Sequence, residues 1–452
     1  MSRARQILIT ALIVSAAFTF VTQSGKASSE PAAPGGEAHG LDPIVLIGIA
    51  VILVVAKLAG ELFERIGQPA VLGELLGGML IGSISLFGFG AIDRLRGDSV
   101  IVALAEIGAI ILLFEVGLES NLAHMLEVGW SSLLVAVAGV IAPFFLGWAV
   151  AAYFAPDEAT LGHIFIGATL CATSVGITAR VLKDINKLRM REARIILGAA
   201  VIDDVLGLII LAVVKGAIDA QAAGAALSMV NIAIIAAKAA VFLVGAVALG
   251  HFVVPQLFHG LKRLQGSGLL ISLAIALCFT LAWLANAVGL AYIVGAFAAG
   301  LILDEAHFEI LPNHDKADLE DLIRPVSTIL VPIFFVLMGL RVDLRAFARP
   351  ELLWFAAALT VAAIIGKQVC SLAVIEHSIN RLAIGVGMIP RGEVGLIFAG
   401  IGATLKLKNA QGVDEPVIGA ATFGAVIIMV IVTTLVTPPV LKWSLSRREG
   451  EG

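Results

Sequence analysis

The chain is a succession of apolar runs, each about long enough to cross a bilayer, laid nearly end to end. A membrane-spanning helix takes about 20 apolar residues. Counting such runs gives about thirteen, starting near Pro43, Pro69, Val100, Trp130, Thr160, Ala193, Val230, Gly268, Ala287, Pro325, Glu351, Arg381 and Pro416. The eighth and ninth are barely separated, around Asn286. Hydrocarbon offers no water to unpaired amides, so runs of this kind must be helices. Composition agrees: 59% of the 452 residues are hydrophobic and 14% charged, against about 25% charged in a soluble domain. The expected fold is an all-α polytopic membrane protein, with the lipid bilayer as its first partner. A net charge of -4 argues against a nucleic-acid partner, which would need a basic surface.

The N-terminus reads as a signal peptide over residues 1–27. Arg3 and Arg5 precede an apolar stretch, Ile7 to Val21, that is short for a span. An uncleaved extra helix is the alternative. A polar leader, 28–42, the spanning domain, 43–445, and a short tail, 446–452, complete the expected division. Loop charge sets the orientation. Lys183, Lys187, Arg189, Arg191, Arg194, Lys262, Arg263, Lys442, Arg447 and Arg448 fall on one side of alternating helices, which is therefore cytoplasmic. Arg94, Arg96, Arg345, Arg349, Lys406 and Lys408 fall on the other and weaken the bias without reversing it. The expectation is an inner-membrane protein with its N-terminus outside and its C-terminus cytoplasmic. The acidic stretch from Asp304 to Arg324, with His307 and His314, is expected to be the one long polar loop.

Ionisable groups inside hydrocarbon are costly and usually mark an ion path. Asp203 and Asp204 stand near the middle of the sixth run, Lys367 in the eleventh, and Arg391 and Glu393 in the twelfth beside Pro390 and Gly392. Two adjacent carboxylates need more compensation than one lysine supplies, which favours an ion site over a packing pair. Lys367 by itself could simply neutralise an aspartate. Thr173, Ser174, Gly176 and Thr178 cluster in the fifth run, and hydroxyl oxygens are the ligand type a hard cation prefers. Lys57, Glu106, Glu115 and Glu119 read as interfacial or helix–helix contacts, and Lys238 is left unassigned. Cys171, Cys278 and Cys370, each in a separate apolar run, read as small buried residues.

Segments interrupted by Gly, Pro or hydroxyl residues in corresponding positions of two halves point to the binding site of a transporter. The fifth and twelfth runs are both interrupted and lie seven apart; the same shift relates the fourth to the eleventh and the sixth to the thirteenth. An odd shift means opposite topology, so the pattern fits inverted repeats with the seventh run as linker. Exposed backbone at the two interruptions can coordinate a cation, while Glu393 can balance the positive ends of half-helices.

At these residues the sequence resembles the monovalent cation:proton antiporter type 2 family, particularly sodium/proton antiporters with an aspartate pair. The likeness runs from Leu41 to Leu445 through QPAVLGELLGGMLIG, ILLFEVGLESNL, ATSVGITARVL, AAVIDDVLGLIIL, PIFFVLMGLRVDL, GKQVC and GMIPRGEVGLI, in order. The resemblance implies a core of the fourth to sixth and eleventh to thirteenth helices, two of them broken and crossing. It implies a dimerisation domain beside that core, hence a homodimer, and alternating access by movement of the core. It also implies that Asp204 binds the cation or the proton, that Lys367 pairs with Asp203, and that Thr173 and Ser174 lie in the crossed break. Related potassium-efflux members carry a C-terminal nucleotide-binding domain. The last run here is followed by only a short tail, and no such control in cis is expected.

The chemistry this implies is competition. Burial favours the neutral form of a carboxyl group, so a proton holds the site until sodium displaces it, and each crossing carries one or the other. No cofactor is needed; Na+ (or Li+ or K+, whose ligands are the same in kind) and H+ are cargo. An intramembrane aspartyl protease needs two carboxylates converging on one water, whereas neighbours on a helix point about 100° apart. No repeated filter sequence suggests a channel. A sodium-coupled solute symporter of similar fold is the alternative, though two Tyr and five Trp are few aromatics to line a solute site.

Overall fold

The computed structural model describes residues 42–84, 91–119, 129–185, 187, 190–222, 229–261, 269–310, 319–342, 349–376, 379–408 and 414–446. The expected signal segment, most of the leader and nearly all of the tail lie outside these. In chain order the helices are α1 (Pro43–Arg65), α2 (Ala70–Ile84), α3 (Ala91–Gly97), α4 (Ser99–Glu119), α5 (Trp130–Phe154), α6 (Thr160–Thr169), α7 (Val175–Asp184) and α8 (Arg191–Ala222). There follow α9 (Met229–Leu261), α10 (Leu269–Ala287), α11 (Tyr292–Ile310), α12 (Leu319–Arg341), α13 (Pro350–Cys370), α14 (Arg381–Gly387), α15 (Gly392–Thr404) and α16 (Ala420–Ser446). Two three-residue strands, β1 (Lys406–Lys408) and β2 (Asp414–Pro416), pair antiparallel. Among the described residues the protein is helical apart from this strand pair. Among the described residues, eight helices are long and apolar enough to cross a membrane, and shorter apolar helices accompany them.

The expected helix order holds, with four corrections. The ninth helix begins at Tyr292, after a turn in which Gly289 adopts φ +88°, a conformation glycine reaches without strain. The expected polar loop from Asp304 to Arg324 is largely helix: α11 continues to Ile310 and α12 starts at Leu319, upstream of Pro325. Hydropathy marks where a helix leaves the hydrocarbon, not where it ends. The last helix begins at Ala420, because Pro416 closes β2 and the chain then bends at Val417 and Ile418, with the Val417 amide donating to Leu405 O at 2.8 Å. The short α3 was not expected from an apolar count, having Arg94 and Arg96 in seven residues. His307 and His314 fall outside what is described of side chains.

The chain folds as two compact units. The first takes Met1–Ala109 with Val326–Leu344. Helix α1 starts on Pro43 with the Asp42 carboxylate accepting from Ile44 N at 2.9 Å, an N-cap with proline at the first helical position. Its helices meet backbone to backbone: a β-carbon on Gly73 would collide with Ala59 O, one on Gly78 with Val336 O, and one on Gly339 with Leu75 O. Small residues of this kind let helices approach closely in lipid, where apolar burial gives no drive to associate.

The second unit takes Ile110–Pro325 with Arg345–Gly452. In it a long helix, an interrupted helix and another long helix occur twice: α5, α6/α7, α8, and then α13, α14/α15, α16. Helix α13 packs on α5 where Gly366 receives Pro143, a β-carbon there standing 2.8 Å from the proline Cα. Buried apolar residues join the pieces. Val135, Ile196, Ala199, Ile384 and Met388 form one cluster, and Leu182, Ala193, Val386, Leu441 and Leu445 another.

Candidate functional site at the crossing of two broken helices

Both interruptions follow from local chemistry. After Thr169 the chain runs Leu-Cys-Ala-Thr-Ser before α7, and Ser and Thr offer their own hydroxyls to the backbone in competition with helix. After Gly387 it runs Met-Ile-Pro-Arg before α15. Pro390 has no N–H to give and turns the preceding residue away from the helical region. Gly392, at φ +42°, then opens α15.

The two interruptions satisfy one another. Ser174 N donates to Pro390 O at 2.8 Å, and Thr178 Oγ1 donates to Gly387 O at 2.7 Å. Arg391, fully buried, donates through Nη1 to Ala172 O at 2.7 Å and through Nη2 to Ala363 O on α13 at 3.3 Å. Gly392 N donates to Thr434 Oγ1 on α16 at 3.3 Å. Irregular backbone at membrane depth persists only where protein supplies its partners, and here each break supplies the other.

Asp203 on α8 faces this crossing. Lys367 Nζ lies 3.0 Å from its Oδ1 and 3.1 Å from its Oδ2, and both side chains are 0% exposed. The Thr173 hydroxyl, beside the Asp203 carboxylate, donates to Met388 O at 3.5 Å. Asp204, the next residue, is 7% exposed, the least enclosed of Asp203, Asp204 and Lys367. Gly139 on α5 lies against the Lys367 side chain, where a β-carbon would make ordinary contact with Nζ at 3.4 Å. Thr173 and Ser174 are buried.

The structure therefore brings together Asp203, Lys367, Arg391, Thr173 and Ser174, and Asp204 follows Asp203 on α8. Arg391 is more than a balancing charge, since its planar fork ties one break to α13. The backbone of Glu393 lies in the first turn of α15, but its carboxylate is outside the described residues. The three cysteines are free and buried; Cys171 Sγ donates to Val140 O and Cys370 Sγ to Lys367 O. Lys57, Glu106 and Lys238 are exposed and Glu115 half-buried, while the Glu119 side chain is outside the described residues. Sequence reasoning misses Gly139 and Thr434. Among the described residues no group of three His, Cys, Asp or Glu is arranged to hold a resident metal.

Residues 50–446 match the family described as sodium/hydrogen exchanger, transmembrane. The chain belongs to this family. The exchanger is 41% identical over 438 residues to the high-affinity Na(+)/H(+) antiporter NhaS3 of Synechocystis sp., covering 88% of this chain and 90% of that one. It is 33% identical over 406 residues to the Na(+)/H(+)-K(+) antiporter GerN of Bacillus cereus, covering 89% and 96%. Its fold is similar to that of the sodium proton antiporter MjNhaP1 from Methanocaldococcus jannaschii, with a TM-score of 0.64 at 17% identity, over 89% of this chain and 97% of that one. The exchanger is thus a polytopic, all-α transporter of the family that the motifs around Asp203 and Asp204 suggested.

Proposed function

We propose that the protein exchanges Na+ for H+ across the membrane by alternating access, with Asp204 as the group that carries one or the other. The observation that supports this best is the division of labour on α8. Asp203 is sealed in a two-oxygen pair with Lys367, while its neighbour Asp204 is 7% exposed. A proton on Asp204 blocks the cation; once it leaves, the carboxylate, with Thr173 and Ser174 supplying hydroxyl oxygens, binds Na+ as cargo. Lys367, Arg391 and Glu393 balance charge. NhaS3 and GerN are both named as Na+/H+ antiporters and GerN also for K+, so K+ and Li+ belong in the assay as competing substrates. No cofactor takes part in this scheme. The protein sits in the inner membrane as a homodimer, with residues 1–27 as a signal segment, the N-terminus outside and the C-terminus cytoplasmic.

Asp204→Asn keeps the side chain's shape but cannot exchange a proton. In everted vesicles it should abolish cation-dependent proton movement, at normal abundance and melting temperature. Substantial exchange by the folded variant would remove Asp204 from the mechanism.

A further inference from the structure

Helix α13 brings Lys367 to Asp203 across a close contact with α5. Residues four apart on a helix are neighbours on one face, and on such a face of α5 stand Gly139 and Pro143. A β-carbon on Gly139 would lie 3.4 Å from Lys367 Nζ, 3.5 Å from Cys370 Cβ and 3.7 Å from Lys367 Cδ. The lysine stem therefore lies along the α5 backbone. One turn further along α5, Pro143 meets Gly366, both of them buried. A β-carbon on Gly366 would lie 2.8 Å from the proline Cα and 2.9 Å from its N and Cγ. No side-chain rotation can move these atoms aside, since two are backbone and the third belongs to the ring.

The same stretch of α13 is tied down on its other sides. Ala363 O, one turn before the lysine, accepts from Arg391 Nη2 at 3.3 Å, and Lys367 O accepts from Cys370 Sγ at 2.7 Å. Lys367 Nζ meets the two Asp203 oxygens at 3.0 and 3.1 Å. Hydrogen bonds of this kind extend to about 3.2 Å, so the pair has little slack.

We infer that Gly366 is a positioning residue for the Lys367–Asp203 pair: its bare backbone fixes the spacing of α5 and α13, and that spacing decides whether Lys367 reaches Asp203 across Gly139. A methyl group on Gly366 needs about 1 Å more room to make an ordinary carbon contact, and α13 gives way with the adjacent lysine on it. The inference rests on the pair having a part in exchange, through a second proton that Lys367 carries only while Asp203 balances its charge. An ammonium without a counter-ion is costly away from water. Parted from Asp203, Lys367 stays neutral, and one proton per Na+ remains.

The test is Na+ flux in potential-clamped proteoliposomes for the parent, Gly366→Ala and Lys367→Gln, read per folded protein. Melting temperatures of Gly366→Ala, Asp203→Asn and their double variant accompany it. The parent's flux should rise with a favourable potential, and Gly366→Ala should lose that rise as Lys367→Gln does. Gly366→Ala should also lower the melting temperature less on Asp203→Asn than on the parent, because the pair it parts is already broken there. A folded Gly366→Ala that keeps the voltage response, or melting shifts that simply add, overturns the positioning role. If the parent itself ignores the potential, the second-proton reading fails and the melting cycle alone decides: non-additive shifts keep Gly366 as the residue that places the pair, and additive shifts overturn it. Should Gly366→Ala fail to fold, Pro143→Gly/Gly366→Ala carries the same expectations, read against Pro143→Gly alone. Misfolding of both assigns Gly366 to stability and overturns the proposal.

Discussion

Gly392 carries two constraints at one backbone position. Its φ of +42° belongs to the left-handed region, which costs a side-chain-bearing residue about 1–2 kcal/mol. The space a β-carbon would need is already taken by Ser174 and by Ile177 Cδ1, at 2.6 and 2.8 Å, and overpacking of that kind costs about 1–3 kcal/mol. Gly392→Ala should therefore lower stability by about 3 kcal/mol and depress transport, because relief requires the two breaks to separate. Thermal unfolding in detergent with flux measured on the folded fraction checks this; a variant as stable and active as its parent would mean that the crossing is not tight at this point. At this scale the acids and bases were legible in the sequence, because a charge inside an apolar run is conspicuous. Gly139 and Thr434 were not. A glycine or threonine among apolar residues looks like any other, and what distinguishes these two is a neighbour far away in the chain: Lys367 for one and Gly392 for the other.

Elements were legible where chemistry along the chain decides them and illegible where packing does. The breaks announce themselves through Pro390 and the Thr173–Ser174 pair. The hairpin does not: residues 406–416 are mostly polar, and the strands exist because Val417 and Ile418 are held to Leu405 and Gly402. The two-turn helix α14 shows how a short element survives. Seven residues are too few to be stable alone, and Asn380 binds this helix to two others. Its Oδ1 caps the helix through Ala383 N at 3.1 Å, its Nδ2 donates to Ser444 O at 2.7 Å, and its own amide donates to Glu192 Oε1 at 3.1 Å. Asn380→Ala loses the cap and the donor and should cost about 2 kcal/mol. Asn380→Asp keeps the cap acceptor and should cost less. Melting temperatures of the two variants in detergent give the order, and equal, negligible shifts would show that α14 is held by its apolar face alone.

For the whole molecule the question is how much charge moves in one cycle. One Na+ exchanged for one proton on Asp204 is electrically silent. The Lys367–Asp203 pair changes the count, because each partner is 0% exposed and holds the other's charge. If Na+ draws Asp203 toward itself, Lys367 is left as a cation without a counter-ion in a low-dielectric site, and shedding its proton relieves that cost. Two protons then return for each Na+, and one net charge crosses per cycle, worth about 2.3 kcal/mol per 100 mV. Transport should consequently respond to voltage as well as to the pH gradient. In potential-clamped liposomes, the parent's Na+ flux should rise with a favourable imposed potential. Lys367→Gln, which keeps a donor for Asp203 but carries no proton of its own to release, should exchange at a rate indifferent to voltage. Losing one partner of a buried pair also costs about 3–5 kcal/mol of stability, so the variant's flux is read per folded protein. A parent that ignores the potential is electroneutral, and Lys367 then serves the fold of the crossing rather than the coupling of charge.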